Sequence, residues 1–181
     1  GGERLRREPL AGEYRVPWRR GGMRPSYLAV FPKPVQMPHP PIWIASGYAE
    51  AVAFAARQGL PILAQAGESL EAVRDRFARY RMALQAAGGQ PAYAEYPVVT
   101  EIFVAESAAE ARAMAEACGN GGGRGAVVGD PDGVAAELRR CRTEAGVTHV
   151  LWRVPSPWLG QAAIRPMLRL FQAEVWPRLQ A

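Results

Sequence analysis

PHPPIWIASGYAEAVAFAARQGLPILA, residues 38–64, decides the fold. Pro38, Pro40 and Pro41 bias the backbone toward an extended conformation. Ile42-Trp43-Ile44-Ala45 follows as a short, uninterrupted apolar run, the pattern of a strand buried on both faces in a parallel sheet. Ser46-Gly47 breaks that run. From Tyr48 to Gln58, Ala49, Val52, Ala53, Ala55 and Ala56 supply small and apolar residues for a closely packed helix, and Gly59 stands where a helix ends. Pro61-Ile62-Leu63-Ala64 opens a second apolar run. Strand, turn, helix, strand is the repeating unit of a parallel α/β sheet.

The same alternation continues. Ser69 is placed to cap a helix whose apolar face is Leu70, Val73, Phe77, Tyr80 and Leu84, ended by Gly88-Gly89. Val98–Ala105 (VVTEIFVA) is strand-like by its β-branched content and runs into Ser107-Ala108-Ala109-Glu110, a capping box. Residues 119–129 are expected to form a Gly-rich loop. Asp130-Pro131 starts a helix with cap and first-turn proline in order, and Gly146 stops it. Val147–Val154 is a fourth strand. A final helix carries Ile164, Met167, Leu168, Phe171 and Val175, with Pro177 marking its expected end. Two architectures fit: half of an eight-stranded (β/α) barrel, or a small doubly wound sheet. Residues 1–37, rich in Pro, Gly and Arg, are expected to be an irregular arm ahead of the 38–181 domain.

Composition narrows the function classes. The 181 residues are 49% hydrophobic and 22% charged, a soluble globular profile with no apolar run long enough for a membrane. GGERLRREPL has no apolar core, so it is not a secretory signal, and it lacks an initiator Met, so a fragment or processed product is expected. The net charge of +5 does not predict a nucleic-acid partner, because only Lys33 among the basic residues is lysine. The arginines of 74–81 and 139–142 fall on polar helix faces, where a solvated surface is expected. Cys118 and Cys141 lack CxxC spacing, and His39 and His149 lack ligand spacing. The chain is therefore predicted to be cytoplasmic, without disulfides and without a metal.

In parallel α/β folds ligands gather at the C-terminal ends of the strands. The candidates there are Ser46-Gly47-Tyr48, Gln65-Ala66-Gly67, Glu106-Ser107, and Arg153 with Ser156. Ser46-Gly47-Tyr48 opens directly into a helix, where unpaired N–H groups and the positive end of the dipole suit a phosphate. An empty strand-to-helix turn fits the same residues. The loop Asn120–Gly125 does not match a phosphate-binding P-loop, Ser107 is a cap rather than a nucleophile, and Trp43, Trp152 and Trp158 fit core packing. No residue is assigned as catalytic.

PKPVQMPHPPIWIAS (32–46), followed by AEAVAFAARQGLPILA (49–64), resembles the luciferase-like flavin-dependent monooxygenase family. VVTEIFVAESAAEA, then GDPDGVAAELRRCRTEAGVTHVLWRV, then LRLFQAEVWPRL agree with that family in the same order. The resemblance covers residues 10–181 and corresponds to the family's C-terminal half.

The resemblance implies a (β/α) barrel, present here as a half-barrel of four βα units. It also implies reduced FMN as cofactor, or the deazaflavin F420 in one branch, with its phosphate on the turn at Ser46, Gly47 and Tyr48. The implied activity is flavin-dependent oxidation of a small organic substrate with oxygen, and the alternative is hydride transfer through F420. Two departures matter. Nothing matches the catalytic histidine of luciferases, since His39 belongs to the proline arm, and Tyr48 stands where relatives carry Ser or Thr. Two competing readings remain. One is a non-catalytic half-barrel that persists only as a homo-oligomer or beside a missing N-terminal half. The other is a sugar-phosphate barrel enzyme, for which the strand ends offer no lysine.

Overall fold

The computed structural model describes residues 35–36, 40–91, 94–118, 125–154 and 159–180. The chain divides into two units, Gly1–Pro41 and Ile42–Ala181. In the second unit, β1 (Ile44–Ala45) leads into α1 (Ala49–Gln58), and β2 (Ile62–Leu63) into α2 (Leu70–Ala86). A broken strand, β3 (Pro97–Thr100) and β4 (Ile102–Val104), leads into α3 (Ala108–Ala117). β5 (Val127–Gly129) leads into α4 (Pro131–Arg140), which runs on as a π-helical turn at Cys141–Ala145. β6 (His149–Trp152) leads into α5 (Gln161–Leu170), and a second π-helical turn at Phe171–Val175 continues into α6 (Trp176–Gln180).

Every strand pair is parallel: β1 with β2, β3 with β6, β4 with β5. Ala64 joins the first pair to the second, donating to the Pro97 carbonyl at 3.0 Å and accepting from the Val99 N–H at 2.9 Å. The sheet order is therefore β1-β2-β3-β6, with chain order preserved. That order is the one a half-barrel requires; a doubly wound sheet would reverse it. Among the described residues, the edge of β1 away from β2 and the edge of β6 away from β3 carry no ladder.

The break at Glu101 lets one strand serve two neighbours on one flank. Val99 faces Ala64, and Glu101, two residues on, points the same way and accepts the Val127 N–H at 2.9 Å. Thr100 points oppositely and accepts the Arg153 N–H at 2.8 Å. β5 thus takes over the edge that β2 vacates after Ala64. It corrects the expected 119–129 loop: Val127–Gly129 is a strand, and residues 119–124 lie outside the described ones.

Helix α2 lays Phe77, Tyr80 and Leu84 against Val52, Ile62 and Val98, forming the core under β1–β3. Ile102, Val104, Val134, Leu138, Met167 and Val175 form a second core under β4–β5. The caps sit where the side-chain chemistry places them. Ser69 Oγ accepts the Ala72 N–H, Asp130 Oδ1 accepts the Gly133 N–H, and Ser107 and Glu110 exchange both bonds of a capping box. Ser107→Ala is expected to cost about 1 kcal/mol, read from urea denaturation; an unchanged midpoint would mean that α3 does not depend on its cap. Pro177 does not end the last helix, which carries it through to Gln180 directly after the π-helical turn. Among the described residues no helix is long and apolar enough to cross a membrane.

Candidate functional site

The turn after β1 is built from very little. Ser46 Oγ accepts the Tyr48 N–H at 3.3 Å, which fixes the turn and leaves the hydroxyl proton free to donate. Tyr48 occupies the N-cap position of α1 in extended conformation, offers no side-chain cap and leaves its ring exposed. The first helical bond runs from the Val52 N–H to the Tyr48 carbonyl at 3.1 Å. Among the described residues no group accepts from the N–H of Gly47, Ala49, Glu50 or Ala51. These amides cluster at the positive end of the α1 dipole, open to solvent and unclaimed by the protein.

Beneath the turn lies a charge that sequence spacing does not disclose. Arg76 of α2 donates from Nη1 to the Ser46 carbonyl at 3.0 Å. Its Nη2 pairs with Glu68 Oε2 at 2.7 Å, with the two side chains only 11% and 17% exposed. Glu68 Oε1 in turn accepts the Gln65 N–H at 2.8 Å, closing the loop after β2. A Cβ built on Gly47 would lie 2.8 Å from Arg76 Nη2, so a larger residue there would push the guanidinium aside. The Nε of Arg76 is buried and has no hydrogen-bond partner among the described residues. The expectation of solvated arginines over 74–81 is therefore corrected at two positions. Arg76 turns under Gly47, and Arg81 donates to the Ala145 carbonyl at 2.8 Å and lies 4.8 Å over the Tyr96 ring. Arg74 and Arg79 do stay on the surface.

At two other strand ends the candidate side chains are engaged within the protein. Arg153 donates from Nε and Nη2 to Glu101 Oε1 at 3.2 and 2.9 Å, closing the mouth between the broken strand and β6. Ser107 and Glu110 are consumed by their capping box. Ser156, Trp158, His39 and the loop 119–124 lie outside the described residues. His149 opens β6 at the opposite end of the sheet, its ring 5.5 Å from that of Trp43. Trp43 Nε1 donates to Glu95 at 2.7 Å, and the Trp152 ring lies 4.9 Å from Phe171. Burial, and then the Glu101 carboxylate, push the Cys118 thiol up; burial, and then Glu137, do the same to Cys141. Both therefore carry less thiolate at neutral pH than an ordinary cysteine.

Along β6 runs a cleft of about 680 Å³ lined by Trp43, Val150, Leu151, Trp152, Phe171 and Trp176. Val150 and Trp176 are exposed there. An apolar cleft beside a strand whose outer edge carries no ladder among the described residues is the profile of a barrel opened along one seam.

The family model for luciferase-like monooxygenases matches residues 6–125. The chain belongs to that family. Solved structures agree on the fold of this luciferase-like chain. A monooxygenase, RslO1, from Streptomyces bottropensis superposes with a TM-score of 0.69 at 24% identity, covering 91% of this chain and 56% of that one. The oxygenating constituent of 3,6-diketocamphane monooxygenase from Pseudomonas putida, in complex with FMN, gives 0.61 at 16% identity, covering 77% and 49%. An F420-dependent secondary alcohol dehydrogenase, in complex with an F420-acetone adduct, gives 0.65 at 12% identity, covering 93% and 57%. No curated protein sequence matches the chain. The chain spans about half the length of these structures. Together with the strand order, this makes it a luciferase-like half-barrel of the (β/α)8 class.

Proposed function

We propose that this chain supplies the C-terminal half of a flavin-dependent oxidoreductase, and that its turn at Ser46, Gly47 and Tyr48 holds the cofactor's phosphate. The observation that carries the reading is the set of four unclaimed amides, Gly47 and Ala49–Ala51, with the Arg76 guanidinium directly beneath. Phosphate oxygens accept from such amides, and the α1 dipole favours the negative charge. The Ser46 hydroxyl adds a donor, and Tyr48, exposed at the N-cap, adds a phenol. Reduced FMN supplies, when bound, the electrons for oxygen-dependent oxidation of a small organic substrate; F420 is the alternative, supplying hydride. The residues of this chain bind and orient the phosphate end, and none of them is assigned to proton transfer.

The domain reading goes with this one: an arm at 1–37, and a half-barrel at 38–181 that completes its pocket with a second β/α half in the cytoplasm. A specific observation favours association, namely the bare edges of β1 and β6 and the apolar cleft along β6. The second reading, a half-barrel with no catalysis of its own that persists only beside another chain, rests on the same edges.

Titrating the 181-residue chain with FMN and with riboflavin separates the phosphate from the ring system. FMN is expected to bind weakly, but at least about tenfold tighter than riboflavin, a factor worth 1.4 kcal/mol, with no turnover by the chain alone. Equal affinities would remove the phosphate assignment, and tight stoichiometric binding would show that half a barrel already makes a complete pocket.

A further inference from the structure

We infer that Arg76, held by Glu68, is a positioning residue that presets the 46–48 turn for its anion by locking the loops after β1 and β2 together. The inference rests on the phosphate reading above and adds to it the device that shapes the site. Three contacts meet at one guanidinium, and its partner carboxylate carries the link one step further. Nη1 holds the Ser46 carbonyl, Nη2 holds Glu68 Oε2 and lies 2.8 Å from where a Cβ on Gly47 would stand, and the other Glu68 oxygen holds the Gln65 amide. Ser46 directly follows β1, and Gln65 follows the last bridged residue of β2, so one salt bridge clamps two neighbouring strand ends.

Tethering the Ser46 carbonyl inward matters for what points outward. A peptide unit is planar, so fixing that carbonyl fixes the Gly47 N–H on its opposite side. The next N–H, of Tyr48, is already occupied by Ser46 Oγ. The turn is therefore held by two internal bonds while its remaining donors stay free, which lowers the ordering cost of binding. Paired with Glu68, Arg76 brings no net charge to the site, so its contribution is placement rather than attraction. Only a planar fork reaches both partners at once; the point charge of a lysine cannot.

The test uses the full 181-residue chain labelled with ¹⁵N, in four forms: wild type, Arg76→Lys, Arg76→Gln and Glu68→Gln. Each is titrated with FMN against riboflavin, and with F420 against its phosphate-free deazaflavin, while the amides of 47–51 are followed and thermal melts are recorded. Both Arg76 variants are expected to lose about tenfold in affinity for the phosphorylated ligand, with the phosphate-free ligand unmoved, and Glu68→Gln is expected to lose in the same direction. A purely structural role would lower the melting temperature and weaken both ligands of a pair alike, which overturns the inference. Retention of the phosphate preference by Arg76→Lys but not by Arg76→Gln makes the effect one of charge, and also overturns it. If the Arg76 variants do not fold, Glu68→Gln decides alone: an unchanged preference sinks the clamp. A wild-type chain that shows no preference within either pair takes down the phosphate reading itself, whereas variants that keep a wild-type preference take down only this inference.

Discussion

Phe77→Ala is expected to unfold a large fraction of the protein at room temperature. The ring is fully buried at the centre of the first core, edge-on to Tyr96 with centroids 5.3 Å apart. Tyr96 is itself edge-on to Tyr80 at 6.1 Å and capped by Arg81 at 4.8 Å, so Phe77 anchors a chain of aromatic contacts that fastens α2 to the sheet. Tyr80 adds a hydrogen bond to the Leu60 carbonyl at 2.9 Å, tying the same helix to the loop before β2. Truncating a buried phenylalanine costs about 3–5 kcal/mol, against a total stability of about 5–15 kcal/mol for an ordinary domain. A half-barrel whose β1 and β6 carry no ladder on their outer edges, among the described residues, is expected at the low end of that range. Urea denaturation followed by far-UV circular dichroism should show the midpoint falling by half or more of its wild-type value. A loss below about 1 kcal/mol would mean that α2 is not packed as described.

Gly125→Ala carries the second large effect, and a control comes with it. Gly125 has φ +84, and a Cβ there would sit 1.9 Å from the Glu68 carbonyl oxygen and 2.9 Å from its carbon. Neither side can yield easily. The Gly125 carbonyl accepts the hydroxyl of Thr100, a buried polar residue, at 2.8 Å, and Glu68 is pinned by Arg76. Gly88 has nearly the same φ, +83, with nothing within 4 Å of its Cβ position. Gly88→Ala should therefore cost only the left-handed backbone penalty, about 1 kcal/mol, whereas Gly125→Ala should cost about 3 kcal/mol or more. The difference isolates the collision with Glu68. Equal losses at the two sites would show that the loop after β2 does not press against Gly125.

Local chemistry made much of this fold legible. Ser69, Ser107 and Asp130 each combine a capping side chain with a following apolar helix face, and each caps in the structure. The four parallel strands follow from short apolar runs separated by helices. What stayed hidden is non-local. The strand at Val127–Gly129 is three residues long beside a glycine-rich stretch, and only its ladder to Ile102–Val104 makes it a strand. Arg76 is one of four arginines on a helix whose polar face looks uniform; its destination lies 30 residues upstream, at Ser46. At the candidate turn, the passage from strand to helix was legible, and the guanidinium beneath it was not. Pro177 misled because proline ends a regular helix, while here it follows a π-helical turn that already departs from regular geometry.

The handover at Glu101 has a further meaning for how such a chain diversifies. The stretch between α3 and β5 feeds a strand that touches neither the β2–β3 bridge nor the β3–β6 ladder. Changes within β5 can therefore alter that flank while leaving the other registers untouched, provided Gly125 keeps its place against Glu68. A lineage can thus vary the β4–β5 flank in small, independent steps without disturbing how the other strands pair.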